Sequence, residues 1–340
     1  MAHLDTACVV MVAYGPQPDL NEAVRSALAS TGVAIQVVIV DNGAEPAAIE
    51  AVRTLDGVTV LSAGDNLGFG AGCNLGVQST DAEVVVLLNC DAAVRPDTIR
   101  ALVDAVSDPQ VGIATASLRL ADDPEVINSV GNPVHYLGLA WAGGYGEPAD
   151  RHTEAGPVSS ASGACCALTR AWWDELGGFD ASYFAYHEDV ELSIRTWQRG
   201  RTVVYVPGAV ATHHYEFSRN PGKLYLLERN RLMTLLTTYS GRTLGLLAPA
   251  LLGQEVGLLA MSASQGWLGK KLAGYGWLLR HRRQLLDRHR QLQAERSRPD
   301  REVMQRFTAT LDPANVPVPG AITAVNALST TYRKLVNLWL

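Results

Sequence analysis

The sequence predicts an α/β protein, with a mixed, mainly parallel central sheet flanked by helices over residues 1–220 and a basic, amphipathic helical region over residues 221–340. Three features predict it. Short runs of β-branched and aliphatic residues, apolar without alternation, recur at 7–12, 36–40, 58–61 and 83–88, the pattern of strands buried on both faces. Between them, residues 19–29, 45–55 and 70–79 carry helix-compatible patterns, and 96–106 continues the series, so strand and helix alternate as in βαβ units. The charge also divides: residues 1–220 hold 11 Lys/Arg against 27 Asp/Glu and the rest 17 against 7, giving −16 and +10 within an overall −6.

Parallel strands gather their following loops along one rim, which places Tyr14, Asp41, Asn66 and Asp91 together. The run at 83–88 ends abruptly in Asn89-Cys90-Asp91, and a second acidic knot, His187-Glu188-Asp189, follows much later. A carboxylate at the end of a strand and a distant acid folding back beside it suggest a divalent cation and a general base sharing one cleft. Residues 111–117 add an apolar run, after which 122–157, containing Gly and Pro, read as loops and short strands facing an acceptor. Order returns with a strand over 158–169, a short helix over 170–176 stopped by Gly177-Gly178, and a helix over 188–199. On the surface of that last helix, Glu191 and Arg195 stand i,i+4. Asp189 falls in its first turn, where exposed N–H groups and the macrodipole keep a carboxylate ionised; a helix-capping acid suits the same place.

Residues 224–239 form a further helix, containing Arg229-Asn230-Arg231. Residues 244–261 are apolar, yet Gln254-Glu255 would sit near the centre of any membrane span, which disfavours one. Leu268, Leu272, Tyr275, Leu279 and Leu286 share one helical face with Lys271, Arg282 and Arg283 nearby, a composition that suits an anionic membrane surface or a homodimer contact. Residues 321–340 are a last helix packing back onto this tail.

With 340 residues, 47% hydrophobic and 18% charged, the chain can bury a substantial core. Its five cysteines form no C-x-x-C pair and leave one over, which indicates neither a zinc knuckle nor a disulfide framework and fits a reducing cytoplasm. The amino end lacks a basic n-region and its apolar stretch is too short for a signal peptide, so a cytoplasmic place, with peripheral attachment to the inner membrane face, is expected. The acidic body argues against nucleic-acid binding.

Taken in order, Val12-Ala13-Tyr14, Val40-Asp41-Asn42, Asn66-Leu67-Gly68-Phe69-Gly70 continuing to Gly72-Cys73-Asn74-Leu75-Gly76, Leu87-Leu88-Asn89-Cys90-Asp91, Gly177-Gly178-Phe179-Asp180, Glu188-Asp189-Val190-Glu191 with Arg195, Val206-Pro207, His213 and Arg229-Asn230-Arg231 form one motif string. The string resembles that of bacterial family 2 glycosyltransferases, and most of all their rhamnosyltransferase-like branch.

The resemblance implies a GT-A fold and an inverting transfer from a nucleoside-diphosphate sugar to a hydroxyl of a glycan, lipid-linked or small-molecule acceptor. dTDP-rhamnose is the first donor it suggests and UDP-linked sugars the next. By family position, Asp41 meets the pyrimidine, Ala13 and Tyr14 line the nucleoside, and Asn66, Gly68 and Asn74 belong to a donor-binding loop. Asn89-Cys90-Asp91 stands where the family has D-x-D, with Asn at the first position. Asp91 is then left as the carboxylate ligand of Mg²⁺ or Mn²⁺, with His213 as the second protein ligand. Arg229 or Arg231 would help neutralise the leaving diphosphate, Asp189 would take the acceptor proton with Glu188 as orienting or competing acid, and Trp172 and Trp173 would stack on an acceptor sugar. On local grounds alone Asp41 is equally a turn residue, the loop a glycine-rich connection and the tryptophans core aromatics.

Two other classes stay open. Gly68-Phe69-Gly70-Ala71-Gly72 approaches the dinucleotide fingerprint of an oxidoreductase, but Cys73 replaces the third glycine and the loop follows the third strand, not the first. A silent nucleotide-sugar-binding or membrane scaffold protein is the other, suggested by the missing first acid.

Overall fold

The structure, a computed structural model, describes residues 4–214, 222–311 and 322–340. Its first half is the expected alternation: β1 (Thr6–Gly15), α1 (Leu20–Leu28), β2 (Ala34–Ala44), α2 (Pro46–Arg53), β3 (Val58–Ser62), α3 (Phe69–Gln78) and β4 (Val84–Leu88). Next come β5 (Ala92–Val94), α4 (Thr98–Val106), β6 (Val111–Leu120), β7 (Ile127–Ser129) and β8 (Gly156–Pro157). They are followed by β9 (Cys165–Thr169), α5 (Arg170–Leu176), α6 (Glu188–Gln198) and β10 (Thr202–His213).

These strands form one sheet in the order β3-β2-β1-β4-β9-β6-β10-β5. β1 pairs parallel with β2 and β4, β2 with β3 and β6 with β10, while β9 runs antiparallel between β4 and β6. Chain direction along the sheet edge reverses at the β1–β4 pair, so the loops leaving these two strands diverge and open a crevice. Tyr14 leaves one strand and Asn89 the other. The strands lack alternation in sequence because both faces are covered: Cys8 and Val10 of β1 enter one apolar layer, Val9 and Met11 the other. Close cover of β1 by α3 needs Gly76, where a Cβ would lie 2.4 Å from a Val10 methyl.

The carboxyl-terminal part contains α7 (Lys223–Thr238), α8 (Gly241–Ser264), α9 (Leu268–Arg280), α10 (Arg282–Glu295), α11 (Asp300–Val303) and α12 (Ile322–Trp339). The compositional boundary at 220/221 falls outside the described residues. Tyr239, Leu247, Met304 and Phe307 lie in the same apolar layer as Val10 and Trp172, so the tail and the sheet share a core.

Three expectations need correction. The strand over 158–169 exists only as β9, because the preceding N–H groups are taken from the side: Ala161 donates to Ser193 Oγ at 3.1 Å and Gly163 to Asp189 Oδ2 at 3.0 Å. The stripe from Leu268 to Leu286 is broken at His281 into α9 and α10, and Lys271 on it is buried against Glu228 and Glu255. The Glu191–Arg195 pair is no surface pair. Both side chains are 1% exposed at 2.8 Å, and Arg195 also donates to the carbonyls of Leu176 and Gly178.

Candidate active site

At the β1–β2 rim, Ala13 pairs with Asp41 across the strands; the Ala13 side chain is buried and Tyr14 stands exposed. Asp41 Oδ1 accepts the N–H groups of Gly43 and Ala44 at 3.2 and 3.0 Å, so one carboxylate oxygen shapes the turn. Asn42 is buried and organises the next loop: its amide donates to Asn66 Oδ1 at 3.0 Å and its carbonyl accepts from Leu67 N–H at 2.8 Å. Asn66 Oδ1 in turn accepts from Gly68 N–H at 2.9 Å. Gly68, at φ +82°, is irreplaceable in this backbone, since a Cβ would lie 2.3 Å from the Phe184 carbonyl. Phe69 N–H donates to that same carbonyl at 2.6 Å, which ties the loop to the segment entering α6.

Asn74 does not face a ligand. Its amide donates to Phe179 O at 2.8 Å and its carbonyl accepts from Phe179 N–H at 2.9 Å, so both ends hold backbone. This corrects the expectation of a donor contact.

Asp91 and His213, remote in sequence, meet because β5 pairs with β10 and aligns Ala92 with His213. His213 Nε2 lies 3.2 Å from Asp91 Oδ1. Nδ1 lies 2.9 Å from Asn128 Oδ1, and Asn89 Nδ2 approaches Nε2 at 3.5 Å. The ring is thus contacted at both nitrogens, Nδ1 by Asn128 and Nε2 by Asp91. In an octahedral shell with bonds of about 2.1 Å, neighbouring ligand atoms are about 3 Å apart, so this pair fits a hard divalent ion. Among the described residues no group of three or more His, Cys, Asp or Glu could hold a metal.

The second acid arrives through the loop before β9. Asn89 N–H donates to Ala164 O at 2.9 Å, and the adjacent Gly163 N–H donates to Asp189 Oδ2 at 3.0 Å. Two successive residues therefore connect the segment after β4 to the start of α6. Asn132 Nδ2 lies 3.4 Å from the same Oδ2, and Val190 N–H donates to Oδ1 at 2.8 Å. Burial raises the Asp189 pKa, and the N–H groups of Gly163 and Val190 pull it back. For Glu188, burial and then the Asp189 charge push the pKa up to about 8, its own backbone N–H pulling the other way, and its Oε2 is without a hydrogen-bond partner. Near neutral pH Glu188 is therefore largely protonated.

The segment entering α6 is unusual. Phe184, Tyr186 and His187 have φ of 64°, 68° and 69°, left-handed conformations that side chains rarely adopt. The fully buried Asn230 of α7 holds them, donating to the carbonyls of Tyr183, Ala185 and Tyr186 at 3.0, 2.8 and 2.6 Å. Arg229 beside it donates to Ser182 O and Tyr183 O and lies over the Trp277 ring. Arg231 is 1% exposed and paired with Glu228 and Glu255, which Lys271 joins. Both arginines are thus engaged inside the protein, which corrects the expectation that they meet a diphosphate.

Trp172 and Trp173 are likewise core residues, 2% and 4% exposed. Trp172 lies under Arg201 at 4.0 Å and Trp173 meets Phe179 edge-on at 5.2 Å, so neither can stack on a sugar. Asn128, Asn132 and Asn230 escaped the sequence reading. The first two lie in a stretch without periodicity, and Asn230 stood between two arginines whose charge drew the role.

A sequence model described as "Glycosyltransferase like family 2" matches residues 6–233. An N-acetylglucosaminyl-diphospho-decaprenol L-rhamnosyltransferase of Mycobacterium tuberculosis is 32% identical over 239 residues, covering 62% of this chain and 76% of the relative. Among solved structures, GalNAc-T7 with UDP, GalNAc and Mn²⁺ superposes with a TM-score of 0.60 at 19% identity, covering 70% of this chain and 49% of that one. The mannosyltransferase PcManGT from Pyrobaculum calidifontis, with GDP-Man and Mn²⁺, gives 0.50 at 15% identity over 98% of this chain and 82% of its own. At these identities the two structures speak to fold.

Proposed function

Because the chain belongs to family 2 of the glycosyltransferases, in its rhamnosyltransferase-like part and with the GT-A fold, we propose that it transfers L-rhamnose from dTDP-rhamnose, with inversion, to a hydroxyl of a lipid-linked glycan. A UDP-linked donor and a polysaccharide or small-molecule acceptor are the next choices. The named activity of the M. tuberculosis relative supports the sugar and the acceptor class. The observation that supports the mechanism is the link through Gly163 and Ala164, whose hydrogen bonds join Asn89, two residues before Asp91, to the loop that also binds Asp189.

In this reading Tyr14 and Asp41 receive the nucleoside, and the loop shaped by Asn42, Asn66 and Gly68 borders the donor. Asp91 and His213 would hold Mg²⁺ or Mn²⁺, with Asn128 fixing the histidine ring and Asn89 beside it. Bound there, the ion would neutralise charge on the donor diphosphate. Asp189 accepts the proton of the acceptor hydroxyl as that oxygen bonds to the anomeric carbon and the carbon–oxygen bond to the diphosphate breaks; the nucleoside diphosphate departs from the opposite face. Gly163, Val190 and Asn132 aim the carboxylate, while Glu188, largely neutral, spares it a second adjacent charge. The chain is placed in the cytoplasm, at the inner face of the membrane.

The test is release of nucleoside diphosphate from a panel of nucleotide sugars with a polyprenyl-diphosphate-linked acceptor, with and without Mg²⁺ or Mn²⁺. Metal-dependent turnover selective for dTDP-rhamnose supports the reading. Turnover confined to another donor replaces the sugar, and turnover indifferent to chelators removes the metal.

A further inference from the structure

The tail helices leave a broad apolar face bare. α8 is long and apolar enough to cross a membrane, and only 6% of its most apolar window is buried. Its exposed arc, Gly245, Pro249, Leu252, Val256 and Ala260, carries no charge, with Leu252 and Val256 67% and 68% exposed. The packed neighbours extend the surface: Leu272 and Leu279 of α9, and Leu335, Leu338 and Trp339 of α12, are exposed as well. Such an area on a water-soluble surface calls for a partner.

Charge selects which partner. Across α8, α9 and α12 the sole acid is Glu255, and it is taken up by Arg231, Lys271 and Tyr275. The exposed cations Arg242, Arg280 and Lys334 of these helices meet no exposed acid of the same helices. A second copy docking by this face would oppose cation to cation, whereas anionic lipid headgroups complement it. Exposed Trp339 beside Leu338 suits the boundary between headgroups and acyl chains.

The same contacts decide orientation. α8 is fastened along its length: Thr243 and Ser240 bond to Asp300, Leu246 O accepts from Tyr332 at 2.6 Å, and Glu255 pairs with the buried Arg231 of α7. Crossing a bilayer would break these contacts and strand Glu255 in hydrocarbon. We propose that the face formed by α8, α9 and α12 rests on an anionic phospholipid bilayer, with α8 lying in the interface and not spanning it. This deepens the inner-membrane placement above but needs neither donor nor acceptor, so it can fail while the transferase reading stands.

The experiment is flotation of the purified full chain with vesicles of phosphatidylcholine alone or mixed with phosphatidylglycerol. The chain should float with the mixed vesicles, detach in high salt or alkaline carbonate, and remain monomeric in sedimentation without lipid. The double variant Leu252→Glu and Val256→Glu should lose at least about tenfold in partition, and Arg280→Gln with Lys334→Gln about 25-fold, at roughly fivefold per cation. Both should keep the wild-type circular dichroism and melting temperature. No flotation, equal partition to neutral vesicles, or a dimer abolished by Leu252→Glu and Val256→Glu would overturn the proposal; retention after carbonate would mean a span.

Discussion

Asp189→Asn tests the base most directly. The carboxylate accepts three hydrogen bonds: Oδ1 from Val190 N–H at 2.8 Å, Oδ2 from Gly163 N–H at 3.0 Å and from Asn132 Nδ2 at 3.4 Å. Asparagine has one acceptor oxygen in place of two. If that oxygen stays on Val190, its NH₂ faces the Gly163 N–H and the Asn132 amide; if it turns to Gly163, the NH₂ faces Val190. At least one donor-to-donor contact remains either way, costing about 1–3 kcal/mol of stability. The loss of a base is separate and reduces kcat by roughly 10² to 10⁴. Nucleoside-diphosphate release measures kcat, calorimetry measures donor binding, and urea titration measures stability. The expected pattern is a collapse of kcat, modest destabilisation and donor affinity within about threefold of wild type. Turnover within about tenfold of wild type would remove Asp189 as the base. A fall in donor affinity matching the fall in rate would make it a donor contact instead. Glu188→Gln is the companion: the acid is held up to about 8, so glutamine copies its neutral form. Turnover near pH 7 should survive in it, and the reverse result would exchange the two roles.

The remaining predictions concern what surrounds that carboxylate. The Glu188 pKa in the fold, about 8, lies above its ordinary 4.5, so its contribution to stability is fully present below the ordinary value and lost as pH rises through about 8. Glu188→Gln should therefore gain melting temperature relative to wild type as pH rises across that window, and a constant difference would contradict the assignment. Asn230→Ala removes the side chain that donates to the Ala185 and Tyr186 carbonyls, Tyr183 O keeping Arg229, and should cost about 2–4 kcal/mol in urea titration, with a fall in kcat; unchanged stability would show that the segment holds itself. Asp91→Ala should abolish the metal dependence of donor binding. Asn128→Leu, which frees the His213 ring, should weaken Mn²⁺ affinity about 10- to 100-fold by thermal shift, and an unchanged titration would exclude His213 as a ligand.

What could be read in the chain follows from where the information lies. β1 to β4 were legible because a strand covered on both faces must be apolar at every position, a local property. The pairing of Asp91 with His213 was suggested by the ordered motif string, as was the candidate role of Asp189, since no periodicity relates residues this far apart. The tasks of Arg229, Arg231 and Asn74 were not legible. An arginine near a diphosphate site and one that closes a buried charge cluster look alike until its partner is known, and for Arg231 that partner is Glu255, on the next helix. The tryptophans were misplaced for a related reason: an aromatic pair beside a glycine turn suits a sugar platform as well as a core, and only the packing of Arg201 and Phe179 decides. The stretch 158–164 has strand composition, yet its N–H groups were claimed by side chains of α6.

These misreadings converge on one arrangement. Asp189, the proposed base, follows three residues in left-handed conformations, each unfavourable by about 1–3 kcal/mol, so the entry to α6 cannot keep its shape unaided. Its restraint comes from Arg229 and Asn230 of α7. α7 is in turn locked through Arg231 to Glu255 of α8 and, by way of Glu228, to Lys271 of α9. Burying four ionised groups is unfavourable unless each is paired, so cutting one of them unbalances the rest. Two of the helices that bear the bare apolar face, α8 and α9, thus brace the helix that holds this segment. The tail of this chain therefore restrains the entry to α6, and with it the Asp189 proposed as the base, through a continuous run of hydrogen bonds and ion pairs.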